Sequence, residues 1–323
     1  MRKISQGAKY ILSQRESDGS WKEFNGLLSR GPSGAWVTAF VSHCLQAVID
    51  ARDQSLMATI RTLIRQQNPD GGFAYNESVP SDADSTANAV LSLRAAGLPS
   101  KMAVKHLGNY RQKDAGYSTY TRNQVLEMYP DIKDRCVGCI ETDYCQPDCM
   151  FYRSRLGWTH SHTDVTALVL QVLLGQANKE YQATRDRLMS QQRPDGLWSG
   201  FWFNKAYTTT RAIQALEGNV SRHKETADSL HRLAIDQKDS FSLANVIEGL
   251  FLLGAQRNLI GKLATNLQKM QLSDGSWPSS AIFRLPRPDA ANPQRSDEIV
   301  HDPKRLFSTA QAIKALAFVE RKE

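Results

Sequence analysis

One short pattern recurs along the chain and constrains its fold more than any other feature of the sequence. Glu16-Ser17-Asp18-Gly19-Ser20-Trp21, Asn68-Pro69-Asp70-Gly71-Gly72-Phe73, Arg193-Pro194-Asp195-Gly196-Leu197-Trp198 and Leu272-Ser273-Asp274-Gly275-Ser276-Trp277 each set an Asp-Gly pair before an aromatic residue. A Gln stands just upstream each time: Gln14, Gln67, Gln192 and Gln271. A fifth, degenerate copy reads Gln112-Lys113-Asp114-Ala115-Gly116-Tyr117. Asp-Gly is strong turn chemistry, because Gly accepts the left-handed conformation that ends a helix. The pattern therefore predicts a repeated helix stop. The aromatic folds back onto the helix just ended, and the Gln amide bonds freed backbone groups.

Each of these stops follows one of a series of helical segments with a charged face, at 4–14, 55–67, 102–112, 181–192, 224–236 and 259–271. A second series, richer in small and apolar residues, alternates with them at 36–48, 84–96, 164–174, 207–216, 241–253 and 307–318. The first series suits an outer layer and the second an inner one. Six hairpins of outer then inner helix predict an all-α fold, an (α/α)6 toroid. An open solenoid is the alternative; the final hairpin carries no polar capping repeat, which favours closure. Length alone would predict two domains, but the repeat uses nearly all of 1–323 in one.

The Gln-x-x-Asp-Gly-x-Trp repeats resemble the QW motifs of squalene-hopene and oxidosqualene cyclases. The same toroid serves the β subunits of protein prenyltransferases and the thioester domains of complement-like proteins. The resemblance covers almost the whole chain and implies the fold; one fold hosts several activities, so function has to come from the site.

The inner helices align on their small residues: Asp84-Ser85-Thr86-Ala87, Asp164-Val165-Thr166-Ala167, Tyr207-Thr208-Thr209-Thr210, Phe241-Ser242-Leu243-Ala244, Phe307-Ser308-Thr309-Ala310 and Trp36-Val37-Thr38-Ala39. The first column is Trp36, Asp84, Asp164, Tyr207, Phe241 and Phe307. In a toroid it forms a ring of aromatics and carboxylates at the N-terminal mouth of the inner helices. One reading has the aromatics plug the barrel and the carboxylates cap their helices. The other follows from Ser81-Asp82-Ala83-Asp84-Ser85-Thr86-Ala87, which resembles the Asp-x-Asp-Asp-Thr-Ala motif of class II terpene cyclases. That resemblance implies that Asp84 is a general acid that protonates an alkene or epoxide and starts a carbocation cascade. Asp82 matches the first Asp, and Ser85 replaces the third. His160 and His162, just before Asp164, are candidates to support the acid. Such chemistry needs a carboxyl group kept protonated by apolar walls or a second carboxylate, and aromatic faces that stabilise cations. Trp36, Trp202, Tyr207, Phe241 and Phe307 are the candidate substrate-binding residues.

The chain has no Asp-Asp pair, and so lacks the Asp-rich magnesium motif of class I synthases, and no Cys-Gly-Glu-Gln thioester sequence. Phe307 and Ser308 stand where a prenyltransferase would begin its last inner helix with a zinc-binding His. Four of the five cysteines, Cys136, Cys139, Cys145 and Cys149, cluster at C-x2-C-x5-C-x3-C spacing. They fall where 81 residues separate Asp114 from Asp195, against 44 between Asp70 and Asp114. This marks a Cys-rich insertion over 113–159, expected on the same face as the acid ring. Four thiolates at this spacing fit a structural zinc; an iron–sulfur cluster, free thiols and disulfides remain alternatives. A second long loop, about 278–305, is expected to reach the same face.

Lys and Arg exceed Asp and Glu by a net +7, but the basic residues are scattered. The segment 66–98 is instead acidic, with Asp70, Glu77, Asp82 and Asp84 against Arg94. No nucleic-acid partner is expected from that distribution, nor a nucleotide cofactor. No run of about 18 apolar residues spans a membrane, and the N-terminal residues lack a signal peptide's apolar stretch; the expected compartment is the cytoplasm. The reading is an acid-initiated cyclase or isomerase of an isoprenoid-like molecule. Cyclases of the resembled family usually place the site between two barrels, so a single toroid implies a partner subunit or a small substrate. The alternative is a non-catalytic toroid that binds an isoprenoid, peptide or protein, or a prenyltransferase-β-like subunit.

Overall fold

The computed structural model describes residues 2–24, 31–50, 52–129, 157–176, 178–236, 239–286 and 298–320. Among them, the charged-faced series forms α1 (Arg2–Ser13), α3 (Gln54–Arg65), α5 (Lys101–Leu107, continued by a 3-10 turn over Gly108–Tyr110), α8 (Lys179–Ser190), α10 (His223–Asp236) and α12 (Arg257–Lys269). The apolar series forms α2 (Ala35–Leu45), α4 (Ala83–Ala95), α7 (Thr163–Leu173), α9 (Lys205–Ala215), α11 (Ser240–Leu252) and α13 (Leu306–Glu320). Each predicted helix is present within a few residues of its expected ends. Among the described residues one further helix, α6 (Arg122–Met128), and two short strand pairs, β1 (Phe73–Ala74) with β2 (Ser81–Asp82) and β3 (Ala281–Arg284) with β4 (Ile299–His301), were not expected.

The apolar helices touch in chain order: α2 packs on α4, α4 on α7, α7 on α9, α9 on α11 and α11 on α13. Helix α13 then returns to α2, so the contacts make a closed circuit. These helices are buried on nearly every side. The charged-faced helices lie against them from outside, α1 on α13, α3 on α2, α5 on α4, α8 on α7, and α10 and α12 on α11. Their one-sided burial matches an amphipathic outer layer.

The repeated stop joins the two layers. Trp21, Trp198 and Trp277 are fully buried, and each indole N–H donates to a carbonyl near the end of the outer helix just finished: Ile11 at 2.8 Å, Leu188 at 2.8 Å and Leu267 at 2.7 Å. The backbone N–H of each repeat's aromatic donates to the hydroxyl of an inner-helix Thr: Trp21 to Thr38, Phe73 to Thr86, Tyr117 to Thr166, Trp198 to Thr209 and Trp277 to Thr309. At the sixth aligned position Leu243 replaces Thr, and the preceding helix α10 has no stop motif, so motif and hydroxyl are lost together. The amides of Gln67, Gln192 and Gln271 close the turns on the carbonyls of Gly71, Gly196 and Gly275. Gln14, one residue further upstream of its Asp, bonds Ser13 instead. Gly196 shows why Gly is required: φ is +79°, and a Cβ would stand 2.4 Å from the Thr226 nitrogen of the next outer helix. In the degenerate copy Ala115 takes the left-handed conformation itself, at φ +64°.

The seam between the first and last helices is closed by a carboxylate. Glu23 is buried and accepts the backbone N–H groups of Lys304 and Leu306, at the start of α13. Asp302 accepts those of Ser280 and Ser308 at 2.8 and 2.7 Å. Burial and the neighbouring Asp302 push the Glu23 carboxyl up to about 8. No helix among the described residues is long and apolar enough to cross a membrane.

Candidate active site

The site is built at the N-terminal ends of the inner helices. The β1–β2 hairpin pairs Phe73 with Asp82 and delivers Asp82 to the N-cap of α4. Its carboxylate accepts the backbone N–H of Ser85 at 2.7 Å, the Ser85 hydroxyl at 2.7 Å and the N–H of Tyr75 at 3.0 Å. Asp82 thus does the capping. Asp84, two residues on, is left with no such task. It is only 8% exposed, and its Oδ1 is buried without a hydrogen-bond partner.

Asp84 lines a pocket with Asp82, Ser85 and Thr119, walled by the rings of Trp36, Tyr75, Tyr120, Trp202, Phe203 and Phe283 and by Leu285. The pocket holds about 430 Å³ of atom-free space, of which about 50 Å³ admits the centre of a water molecule. It is therefore a narrow slot. The buried indole N–H of Trp36 lies at the Asp84 carboxyl but short of good hydrogen-bond geometry. Burial, and then the negative charges of Asp82 and Asp164, hold the Asp84 carboxyl well above the usual carboxylate range, which favours its protonated form. Burial pushes Asp82 up to about 7 against the hydrogen bonds it accepts.

Asp164 occupies the same register position on α7 but is tied down. Its Oδ2 accepts the backbone N–H groups of Trp202 and Phe203 at 2.8 and 3.1 Å. It anchors the strap that carries those two rings into the pocket and is not part of the wall. Its carboxyl is raised by burial and held down by these donors. The expectation that His162 supports the acid directly is corrected. His162 Nε2–H donates to the Gly157 carbonyl at 3.0 Å, which leaves Nδ1 as the acceptor of the Thr119 hydroxyl at 2.8 Å. Thr119 in turn accepts the Trp202 indole N–H at 2.6 Å. Both ring nitrogens are spent, the ring stacks 3.9 Å from Phe201, and burial pushes its pKa down to about 3. His162 fixes Thr119 and Trp202 rather than Asp84. His160 is likewise outside the pocket wall.

Of the candidate binding aromatics, Trp36 and Trp202 face the pocket. Tyr207, Phe241 and Phe307 do not line it. They pack behind it: Phe307 stacks on Phe40 at 4.0 Å and lies 4.9 Å from Trp36, and Tyr207 stacks on Phe203 at 4.0 Å and on Phe241 at 5.7 Å. The plugging role expected for the ring holds for these three. Tyr75, Thr119, Tyr120, Phe203, Phe283 and Leu285 were missed. They lie on loops and the β3 hairpin, outside the inner-helix register. The alternation of Phe283 and Leu285 around Arg284 is the one signal that could have pointed to a strand face there. Cys136, Cys139, Cys145 and Cys149 lie outside the described residues, and among the described residues no cluster of His, Cys, Asp and Glu could hold a metal.

A sequence model of the A-macroglobulin TED domain matches residues 1–95. No curated protein sequence matches. Solved structures match along the whole chain. A protein from Actinoplanes is 23% identical, with 99% of each chain covered and a TM-score of 0.81. A variant of the type II terpene cyclase MstE from Scytonema, in complex with its substrate geranylgeranyl dihydroxybenzoate, is 22% identical, covers 100% of this chain and 97% of its own, and gives 0.83. Another MstE variant, in complex with the product merosterolic acid A, is 22% identical over the same shares, at 0.81. The chain is a mostly helical protein with a terpene cyclase-like fold.

Proposed function

We propose that this chain is a class II-type isoprenoid cyclase or isomerase, built on an (α/α)6 toroid, with Asp84 as its general acid. The observation that carries the reading is the buried Asp84 carboxyl group, its Oδ1 without a hydrogen-bond partner, in a pocket walled by aromatic rings. The closed circuit of inner helices and the similarity to type II terpene cyclases support it. The Asp84 proton adds to one alkene carbon, taking the π electrons into the new C–H bond, and a cation remains on the neighbouring carbon. The faces of Trp36, Tyr75, Trp202, Phe203 and Phe283 stabilise that charge through their quadrupoles, and the apolar wall keeps water away until a C–H proton is lost. Asp82 raises the Asp84 pKa and so keeps the donor loaded. The substrate is a hydrophobic, isoprenoid-like molecule.

A second reading is a non-catalytic isoprenoid-binding toroid. The narrowness of the slot and Ser85 at the third acid position favour it. Incubation with farnesyl- to geranylgeranyl-length polyenes and their diphosphates separates the two. The cyclase reading expects a cyclised or isomerised product that disappears in Asp84→Asn. Unchanged product from Asp84→Asn would overturn the acid role, and binding without conversion would favour the second reading.

A further inference from the structure

One turn below the acid ring, about 6 Å along the helices, lies a second layer that includes Phe40 on α2, Arg211 on α9 and Gln311 on α13. Arg211 is 2% exposed. Its guanidinium carbon stands 4.7 Å from the centre of the Tyr207 ring and 5.8 Å from that of Phe40. One nitrogen donates to Gln214 at 2.8 Å, and Nε is buried without a partner. The nearby Glu248 is already matched: Lys314 lies 2.9 Å away, and Gln311 and Gln214 donate to it. Among the described residues Arg211 forms no ion pair of its own. Two buried cations, Arg211 and Lys314, thus share the one carboxylate of Glu248, which leaves a net positive charge beneath a pocket whose acid has an unpartnered oxygen. Around Asp84, the charges of Asp82 on β2 and Asp164 on α7 oppose its ionisation, while Arg211 on α9 and the Trp36 indole on α2 favour it. Tyr207 feels both Arg211 and Asp84.

We propose that Arg211 is a positioning residue that sets the strength of the acid, by stabilising the carboxylate left on Asp84 when its proton leaves. The inference rests on the cyclase reading. In the step concerned the Asp84 O–H bond breaks, its electron pair stays on the carboxylate, and the proton forms the new C–H bond with the alkene π pair. Deprotonation of the final cation releases one proton and restores the balance. Burial and two neighbouring carboxylates keep Asp84 loaded but make it a reluctant donor, and the Arg211 charge offsets that reluctance.

The test reads Asp84 directly, by infrared difference spectra of the folded protein against Asp84→Asn across alkaline pH, in the wild type, Arg211→Met and Arg211→Lys. Loss of the Asp84 carboxylic C=O band is expected to move upward by about one pH unit or more in Arg211→Met and to stay near the wild-type position in Arg211→Lys. Polyene turnover in Arg211→Met is expected to fall about tenfold or more in kcat with little change in KM, with partial recovery in Arg211→Lys. An unmoved Asp84 titration in Arg211→Met overturns the proposal. If Arg211→Met does not fold, a titration in folded Arg211→Lys that matches the wild type supports the proposal, and one displaced as far as that of a neutral Arg211→Gln overturns it. A moved titration together with a wild type that converts no polyene leaves Arg211 as the counter-charge and overturns the cyclase reading instead.

Discussion

Asp84 and Asp164 begin neighbouring inner helices at the same register position, and their carboxyl groups end in opposite circumstances. Asp164 is 1% exposed and holds the backbone of Trp202 and Phe203. Asp84 is buried almost as deeply and holds nothing with its Oδ1. The difference comes from what precedes each helix. Asp82 has already capped α4, whereas His162 makes no side-chain cap on α7. The strap at 201–203 then brings two N–H groups to Asp164 and no counterpart to Asp84. A buried acid with a structural task and one without it are indistinguishable in a sequence column; their hydrogen bonds separate them.

The largest expected effect breaks the comparison on the Asp164 side. Asp164→Ala orphans the N–H groups of Trp202 and Phe203 and is expected to cost about 2–4 kcal/mol of stability, measured by urea unfolding. Asp84→Asn replaces a buried carboxyl whose Oδ1 has no hydrogen-bond partner and is expected to leave the unfolding midpoint unchanged or higher. A destabilised Asp84→Asn would mean that Asp84 is structural after all. Next in size are the layer staples. Thr309→Val leaves the Trp277 N–H without its acceptor and is expected to cost about 1–3 kcal/mol, whereas Leu243→Thr, where no stop motif precedes the helix, gains nothing. Equal effects at the two positions would show that the hydroxyl column does not join the layers.

The smallest effect concerns pH. Glu23 keeps its proton to about pH 8 in the folded chain, against an ordinary carboxyl value of 4.5. The folded state therefore binds the extra proton between those values, and this contribution to stability is full below about 4.5 and lost as the pH rises through about 8. Glu23→Gln is expected to flatten the decline in melting temperature over that window. An identical slope in wild type and Glu23→Gln would remove Glu23 as its source.

The fold was legible because its repeat is local. Asp-Gly turns, the aromatic that follows them and the switch from amphipathic to apolar helices all act within a few residues. The two acids of the candidate site could be singled out too, Asp84 from that register and Asp82 from the motif around it. The other half was not. Tyr75, Thr119, Tyr120 and Phe283 reach the pocket through loops and a hairpin that no periodicity marks. The role of His162 was misread because proximity in sequence to Asp164 says nothing about which acceptor its nitrogens meet. Tyr207, Phe241 and Phe307 show the same limit from the other side: the register places them at the mouth, but packing among rings turns them into the plug.

The central claim is that a proton from Asp84 starts the reaction. The most direct measurement is the mass of the product formed by the wild type from a geranylgeranyl-length polyene in D2O. The account predicts a cyclised or isomerised product carrying one deuterium on carbon, formed without loss of any diphosphate and absent in Asp84→Asn. A product free of deuterium, or one that Asp84→Asn still makes, would contradict it.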